Sequence, residues 1–408
     1  MNAEPRREFE PVLRIHDPIN ILYVVTERYL RGNVPGVGYA RVETRGGYIS
    51  RVFVESGEPA GVSIVSPGLV DIQVNGFAGV DFSAPDLEPE STVAVLPHLW
   101  KSGVASFCPT LITNSRAALA RNLRVLERAR QFDEHFARAV PCYHLEGPYL
   151  SPGASRGVHD PTWMHAPDWD EFAKWQEAAN GRIGIVTLAP ELPGALEFVA
   201  RASAAGIVVA LGHTDASPQQ IHAAVDAGAC LSTHLGNGCP QVLDRHANPL
   251  WTQLVRDELS ASIICDGFHL PPELVKVVRR LKGVARTILI TDAMYVATLP
   301  PGRYPIVGTE VDLLPEGKVV KADGACLGGS ALSMNRAVWL FMKMSGASPG
   351  DALHAATRSP AALLGRDGVC ARVSEGQPAN LLLSRLSDDG LVVEENWVGG
   401  EEVYCEHQ

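Results

Sequence analysis

The 408-residue chain has no C-x-x-C pair, no G-x-G-x-x-G turn, no surplus of cations and no uninterrupted apolar run near the ~20 residues of a membrane span. Each absence excludes something. Eight cysteines are present, but none stands at the paired spacing of a zinc ribbon. Cys108, Cys142, Cys230 and Cys265 fall in apolar, strand-like runs, so a reduced and buried state in a cytosol is expected. The opening "MNAEPRREFEPV" carries no apolar signal core. A formal net charge of −11 argues against a nucleic-acid or anionic-membrane surface, because both need clustered Lys and Arg. A small anionic ligand held by one or two local cations stays compatible. The expectation is a soluble cytoplasmic protein with neither nucleic acid nor membrane as partner.

Hydrophobic residues make up 46% and charged residues 20%, the balance of an ordinary globular protein. The length suits one large α/β barrel of ~250 residues plus a smaller module. Residues 1–66 lack a strong helix, and "YARVETRGGYISRVFVES" reads as strand, Gly-Gly turn, strand. The first 20 residues are polar and proline-bearing, which predicts partial disorder.

From Leu69 the pattern changes to short apolar runs, each ending in a polar residue and most followed by an amphipathic helical stretch. The runs are 69–75, 104–111, 142–147, 183–191, 207–214, 229–235, 261–267 and 286–293. Eight strands alternating with helices predict a parallel (β/α)8 TIM-like barrel. A doubly wound sheet shares the alternation, but the count and the missing glycine turn favour the barrel. Beyond strand eight, 294–325 reads as a long irregular stretch with a hairpin at "LLPEGKVV". Two helices follow, "SALSMNRAVWLFMKMSG" and "SPGDALHAATRSPAALLG", and then a strand-rich tail. The predicted organisation is an N-terminal part of a small β-sandwich domain at 1–66, the barrel at 67–365, and the C-terminal part of the small domain at 366–408.

Barrel enzymes carry their chemistry at the C-terminal ends of the strands. Here those ends hold Gln73 and Asn75, Glu146, His213, His234, Asp266 and Asp292. In "PCYHLEGPYL" His144 and Glu146 share one strand face, and a bare carboxylate there is costly unless something neutralises it. Glu146, His213 and His234 make a plausible three-ligand set for a divalent metal, leaving a fourth position for water. Zinc, iron(II) and cobalt all suit such donors. The residues alone also leave structural readings: a hydrogen-bonded histidine at a strand end, Asp292 capping a turn, or Glu146 paired with an arginine.

The blocks "SPGLVDIQVNGFAGVDFS", "HLEGPYLSPGASRGVHDP", "LGHTDAS", "THLGNGCPQ", "CDGFHLPP", "ITDAM", "GGSALSMNRAV" and "GQPANLLL" resemble, in order and spacing, those of the N-acetylglucosamine-6-phosphate deacetylases of the amidohydrolase superfamily. The resemblance implies one divalent ion, zinc first and iron(II) or cobalt as alternatives, on Glu146, His213 and His234. Gln73 and Asn75 stand where many amidohydrolases carry His-x-His, so a second metal site is expected to be empty or weak. By the same resemblance Asp292 is the general base and His159 polarises the acetyl carbonyl. In "GNGCP" the glycines free backbone at Asn237 and Gly238 for close approach by an anion, and Gln73 is expected as a further substrate contact. Arg245 and His269 bind its phosphate, reaching the neighbouring site of a homodimer. The implied reaction removes acetate from N-acetylglucosamine 6-phosphate.

Gly236, Gly238 and Cys239 depart from the family pattern beside the sugar. They keep open N-acetylgalactosamine 6-phosphate, an unphosphorylated sugar, or another amidohydrolase substrate such as a cyclic amide or N-acyl amino acid. A nucleophilic role for Cys239 is set aside, since no base partner is apparent. The tryptophans are expected to be core.

Overall fold

The computed structural model describes residues 28–59, 61–365 and 368–406. The expectation for the first 20 residues lies outside these. Eight parallel strands follow one another in chain order: Leu69–Val74, Val104–Ile112, Tyr143–Glu146, Ile183–Leu188, Val208–Leu211, Leu231–Ser232, Ser260–Ile264 and Thr287–Ile290. Each of them overlaps one expected run. The first and last meet through the Val74–Ala293 bridge and the Asp292 N–H to Gln73 carbonyl bond of 3.0 Å, which draw the sheet towards closure.

The strands are buried nearly throughout, as expected where helices cover one face and packed side chains fill the other. Helix Arg116–Phe132 shows how the sequence encodes the outer layer. Ser115 caps it through the amide of Ala118, and Leu119, Leu123, Leu126 and Ala129 recur at helical spacing on the buried side.

Residues from both ends of the described chain share one continuous seven-stranded sheet. Its order is Glu401–Cys405, Leu391–Val398, Leu381–Leu386, Ile64–Pro67, Arg28–Val34, Gly38–Arg45 and Tyr48–Val54. Leu381 pairs with Pro67 and Ser384 with Ile64, so the junction is antiparallel. Leu30, Val42, Val65, Leu381 and Trp397 belong to its separate core.

Two segments differ from their sequence reading. The stretch after strand eight keeps the expected hairpin at "LLPEGKVV" but is otherwise ordered as a three-stranded meander, Gly302–Ile306, Thr309–Leu313 and Val319–Lys321, around a core of Val296, Ile306, Val311, Leu313 and Val319. Its residues are few and half polar, so periodicity is weak. The segment read as the second helix is two helices, Pro349–Ala356 and Arg358–Leu364, parted at Thr357. Pro360 is tolerated in the first turn of a new helix but not inside an old one.

Candidate active site

At the C-terminal end of the barrel, strand three ends on Glu146, while His213, His234 and Asp292 stand just beyond strands five, six and eight. All four side chains are buried. His213, His234 and Asp292 have φ of 50°, 31° and 49°, half of the six non-glycine residues with positive φ among those described. Such backbone costs about 1–3 kcal/mol per residue and persists where the surroundings over-determine it, typically at functional sites.

Glu146 Oε1 lies 3.0 Å from His234 Nε2 and 3.4 Å from His213 Nε2, and the two nitrogens are 3.1 Å apart. Ligands of a tetrahedral zinc, at about 2.0–2.1 Å from the ion, stand about 3.3 Å from one another. The triangle therefore has the edge length that a metal needs. His213 Nδ1 meets the Ser155 carbonyl at 2.9 Å; it must donate there, which leaves Nε2 as a lone pair facing inward. His234 Nδ1 has no hydrogen-bond partner among the described residues. Burial raises the Glu146 carboxyl, but contacts with His213 and His234 outweigh it and hold the group well below the usual carboxylate range. Burial lowers His234, yet Glu146 and Asp292 pull it above its ordinary value. Charges so arranged fit a divalent ion.

A second grouping replaces His234 by His159, with ligand atoms on Glu146, His159 and His213 all within 4.8 Å of one another. The triangle with His234 is tighter and closer to the tetrahedral edge, and it is the better cradle. His159 Nδ1 is engaged by Thr113 Oγ1 at 2.9 Å, and burial together with the His213 charge pushes the imidazole down to about 3.

Asp292 Oδ1 accepts from Asn75 Nδ2 at 2.7 Å and from Gln73 Nε2 at 3.0 Å. Gln73 Nε2 also donates to Glu146 Oε1 at 2.9 Å. The two amides thus hydrogen-bond the acids at the position where a His-x-His pair would hold metal. Burial, with the Glu146 charge second, pushes Asp292 up to about 6, the range useful for proton transfer near neutrality. His144, which shares a strand face with Glu146, is structural. It bridges the Ile72 carbonyl at 3.1 Å and Thr187 Oγ1 at 2.8 Å, and burial lowers it to about 4.

These groups open on a pocket of about 410 Å³ that also reaches Asn237, Gly238, Cys239 and His269. Gly238 serves the histidines: a Cβ there would fall 3.0 Å from His234 Cε1 and 3.1 Å from His213 Nδ1, with φ at +58°. Cys239 is half-buried and burial pushes its thiol up, consistent with an inert side chain. Asp266 is held away from the ligand set. It accepts the amides of Phe268 and His269 and pairs with His269 Nδ1 at 2.7 Å.

His269 lines the pocket of the chain that carries it. Asp266, its partner three residues earlier, turns the imidazole inward. Arg245 is exposed and does not line this pocket. Gln73 lies beneath the pocket and touches the two acids.

Sequence reading missed Thr113, whose only signal was a polar residue just past strand two. It also missed the clamp from the "GGS" segment: Ser330 N–H donates to the Asp292 carbonyl at 3.0 Å, and Ser330 Oγ donates to the Thr291 carbonyl at 2.6 Å.

The model of the Amidohydrolase family matches residues 64–403. Among curated relatives, N-acetylgalactosamine-6-phosphate deacetylase of Escherichia coli O157:H7 is 32% identical over 338 residues, covering 83% of this chain and 87% of the relative. N-acetylglucosamine-6-phosphate deacetylase of Bos taurus is 33% identical over 357 residues, 84% of each chain. Among solved structures, a mutant N-acetyl-D-glucosamine-6-phosphate deacetylase of Mycobacterium smegmatis in complex with N-acetyl-D-glucosamine-6-phosphate superposes with TM-score 0.83 at 28% identity, over 93% of this chain and 99% of that one.

Proposed function

The chain belongs to the amidohydrolase family, and we propose that it removes acetate from N-acetylglucosamine 6-phosphate, leaving glucosamine 6-phosphate. The observation that carries this reading is the ligand triangle of Glu146, His213 and His234 with Asp292 held beside it. A divalent ion on those three residues, zinc first and iron(II) or cobalt as alternatives, would lower the pKa of water toward ~7 and draw electron density from the acetyl carbonyl.

The protein's own groups do the rest. Asp292 takes the proton of the attacking water and later delivers it to the departing amine of the sugar. Gln73 and Asn75 hold the Asp292 carboxylate by Oδ1, which leaves Oδ2 for that proton. His159 donates to the carbonyl oxygen as it gains negative charge. His269 and Arg245 take the phosphate, with Asn237 and Gly238 against the sugar. The pocket volume of about 410 Å³ suits one hexosamine phosphate.

A homodimer is part of this reading. Val242, Trp251, Val255 and Phe268 are exposed in the segments that follow strands six and seven, and Arg245 is exposed in the first of these segments. Exposed apolar side chains gathered in two neighbouring segments are the kind of feature a subunit contact would cover. A cytoplasmic location follows from a charged substrate that does not cross membranes unaided. Among the described residues no helix is long and apolar enough to span one.

N-acetylgalactosamine 6-phosphate is the second reading, kept open by Gly236, Gly238 and Cys239 in the pocket wall and favoured by the Escherichia coli relative. Acetate release from N-acetylhexosamines, with and without the 6-phosphate, tests the assignment. Fast turnover of a phosphorylated N-acetylhexosamine supports it. Slow turnover of all of these beside fast turnover of another amide overturns it.

A further inference from the structure

Thr113 is the first residue beyond strand two and is 1% exposed. Its Oγ1 lies 2.9 Å from His159 Nδ1, and neither atom has another hydrogen bond among the described residues. The hydroxyl is wedged from the other side. A Cβ on Gly147, which directly follows Glu146, would fall 2.2 Å from Thr113 Oγ1. Only a glycine lets this hydroxyl stand between the end of strand three and the loop that carries His159. A β-branched side chain is stiff about χ1, so the hydroxyl keeps its direction.

We propose that Thr113 is a positioning residue that donates to Nδ1 of His159 and thereby fixes the ring hydrogen on Nε2. The inference rests on the carbonyl-polarising role given to His159. A neutral imidazole has one nitrogen that donates and one that accepts, and which is which follows from the partner. When the Thr113 hydroxyl donates to Nδ1, Nε2 carries the hydrogen and can bond the oxygen of a tetrahedral oxyanion. In the opposite arrangement Nε2 is bare, and its lone pair would face that negative oxygen. A bare Nε2 would suit only a metal ligand, and the triangle of Glu146, His213 and His234 is complete without one. The "LEGP" glycine and the threonine ending "PTLIT" thus act together, though 34 residues apart in the chain.

The test compares Thr113→Val, Thr113→Ser and His159→Ala in the metal-loaded enzyme, reading kcat, KM and bound metal. Thr113→Val is expected to lower kcat on the order of 100-fold, the size of effect of one lost oxyanion donor, with KM and metal content nearly unchanged. Thr113→Ser restores most of the rate, because it restores the hydroxyl. Adding Thr113→Val to His159→Ala costs little more than His159→Ala alone. Near-normal kcat in Thr113→Val beside an inactive His159→Ala overturns the role of Thr113 and leaves that of His159 standing. Near-normal kcat in His159→Ala overturns the reading beneath it. Nitrogen-15 spectra of histidine-labelled wild-type holoenzyme keep the question open to refutation if the valine variant does not fold. They should show the His159 hydrogen on Nε2, and a hydrogen on Nδ1 overturns the proposal.

Discussion

Gln73 reaches Glu146 with its side-chain amide, Nε2 to Oε1 at 2.9 Å, and the same nitrogen lies 3.0 Å from Asp292 Oδ1. One NH2 group has two hydrogens, so a single glutamine satisfies both acids and keeps their charges apart. The acid that would hold a metal and the acid that would move the proton are thereby set at a fixed spacing. Asn75, two residues on and just beyond strand one, adds a second donor to Asp292 at 2.7 Å.

Removing the Asn75 donor should move the acid limb of the rate profile. The base must be ionised, so kcat/KM rises with pH through the pKa of Asp292. The Asn75 hydrogen bond lowers that pKa, and the coupling of Asp292 to Glu146 raises it. Asn75→Leu is therefore expected to shift the acid limb to higher pH by about one unit. A pH–rate profile of kcat/KM checks this, and an unmoved or lowered limb counts against Asp292 as the base.

Stability should fall as pH rises through neutrality, with Asp71 among the causes. This side chain is fully buried below the site and pairs with Thr291 at Oγ1 (2.5 Å) and at the amide (3.3 Å). Burial pushes its carboxyl up to about 7, against an ordinary value near 3.8. The folded state thus binds a proton that the unfolded chain has released. That stability is fully present below about pH 4 and is lost as pH rises through about 7, on the order of a few kcal/mol. Asp71→Asn should flatten the decline of Tm between about pH 4 and 7. An unchanged slope would remove Asp71 from the explanation.

Gly238→Ala should lose metal. The new methyl meets both imidazoles of the cradle at about 3 Å, and the residue would also have to keep φ at +58°. Displacing supported ligand rings typically costs about 10- to 100-fold in metal affinity. Competition with a chelator measures the change. Wild-type affinity in the alanine variant would show that the loop can move aside.

Arg245→Ala separates the dimer reading from the chemistry. The arginine is exposed in its own chain and absent from its own pocket, so its loss should leave the metal bound and kcat close to wild type. KM for a phosphorylated substrate should rise about tenfold or more, because an arginine can grip phosphate through two hydrogen bonds. An unchanged KM in a protein shown by light scattering to be dimeric would take Arg245 out of the site.

Much of this was legible in the sequence for a physical reason. Barrel strands are buried on both faces and read as apolar runs, and their last residues face one mouth, so Glu146, His213, His234 and Asp292 could be gathered from order alone. Identity at a distance was not legible. That Thr113 meets His159, or that Ser330 clamps strand eight, depends on loops whose course no period encodes. Gly238, read as freeing backbone for an anion, also stands where two rings leave no room for a methyl. The bond to Asp266 that holds His269 at the pocket of its own chain was equally hidden.

Metal analysis of wild type beside His234→Ala and His159→Ala tests the central claim most directly, because two ligand groupings share Glu146 and His213. The account predicts one divalent ion per chain in wild type and in His159→Ala, and its loss in His234→Ala. An ion kept by His234→Ala and lost by His159→Ala, or no ion in metal-replete wild type, would contradict it.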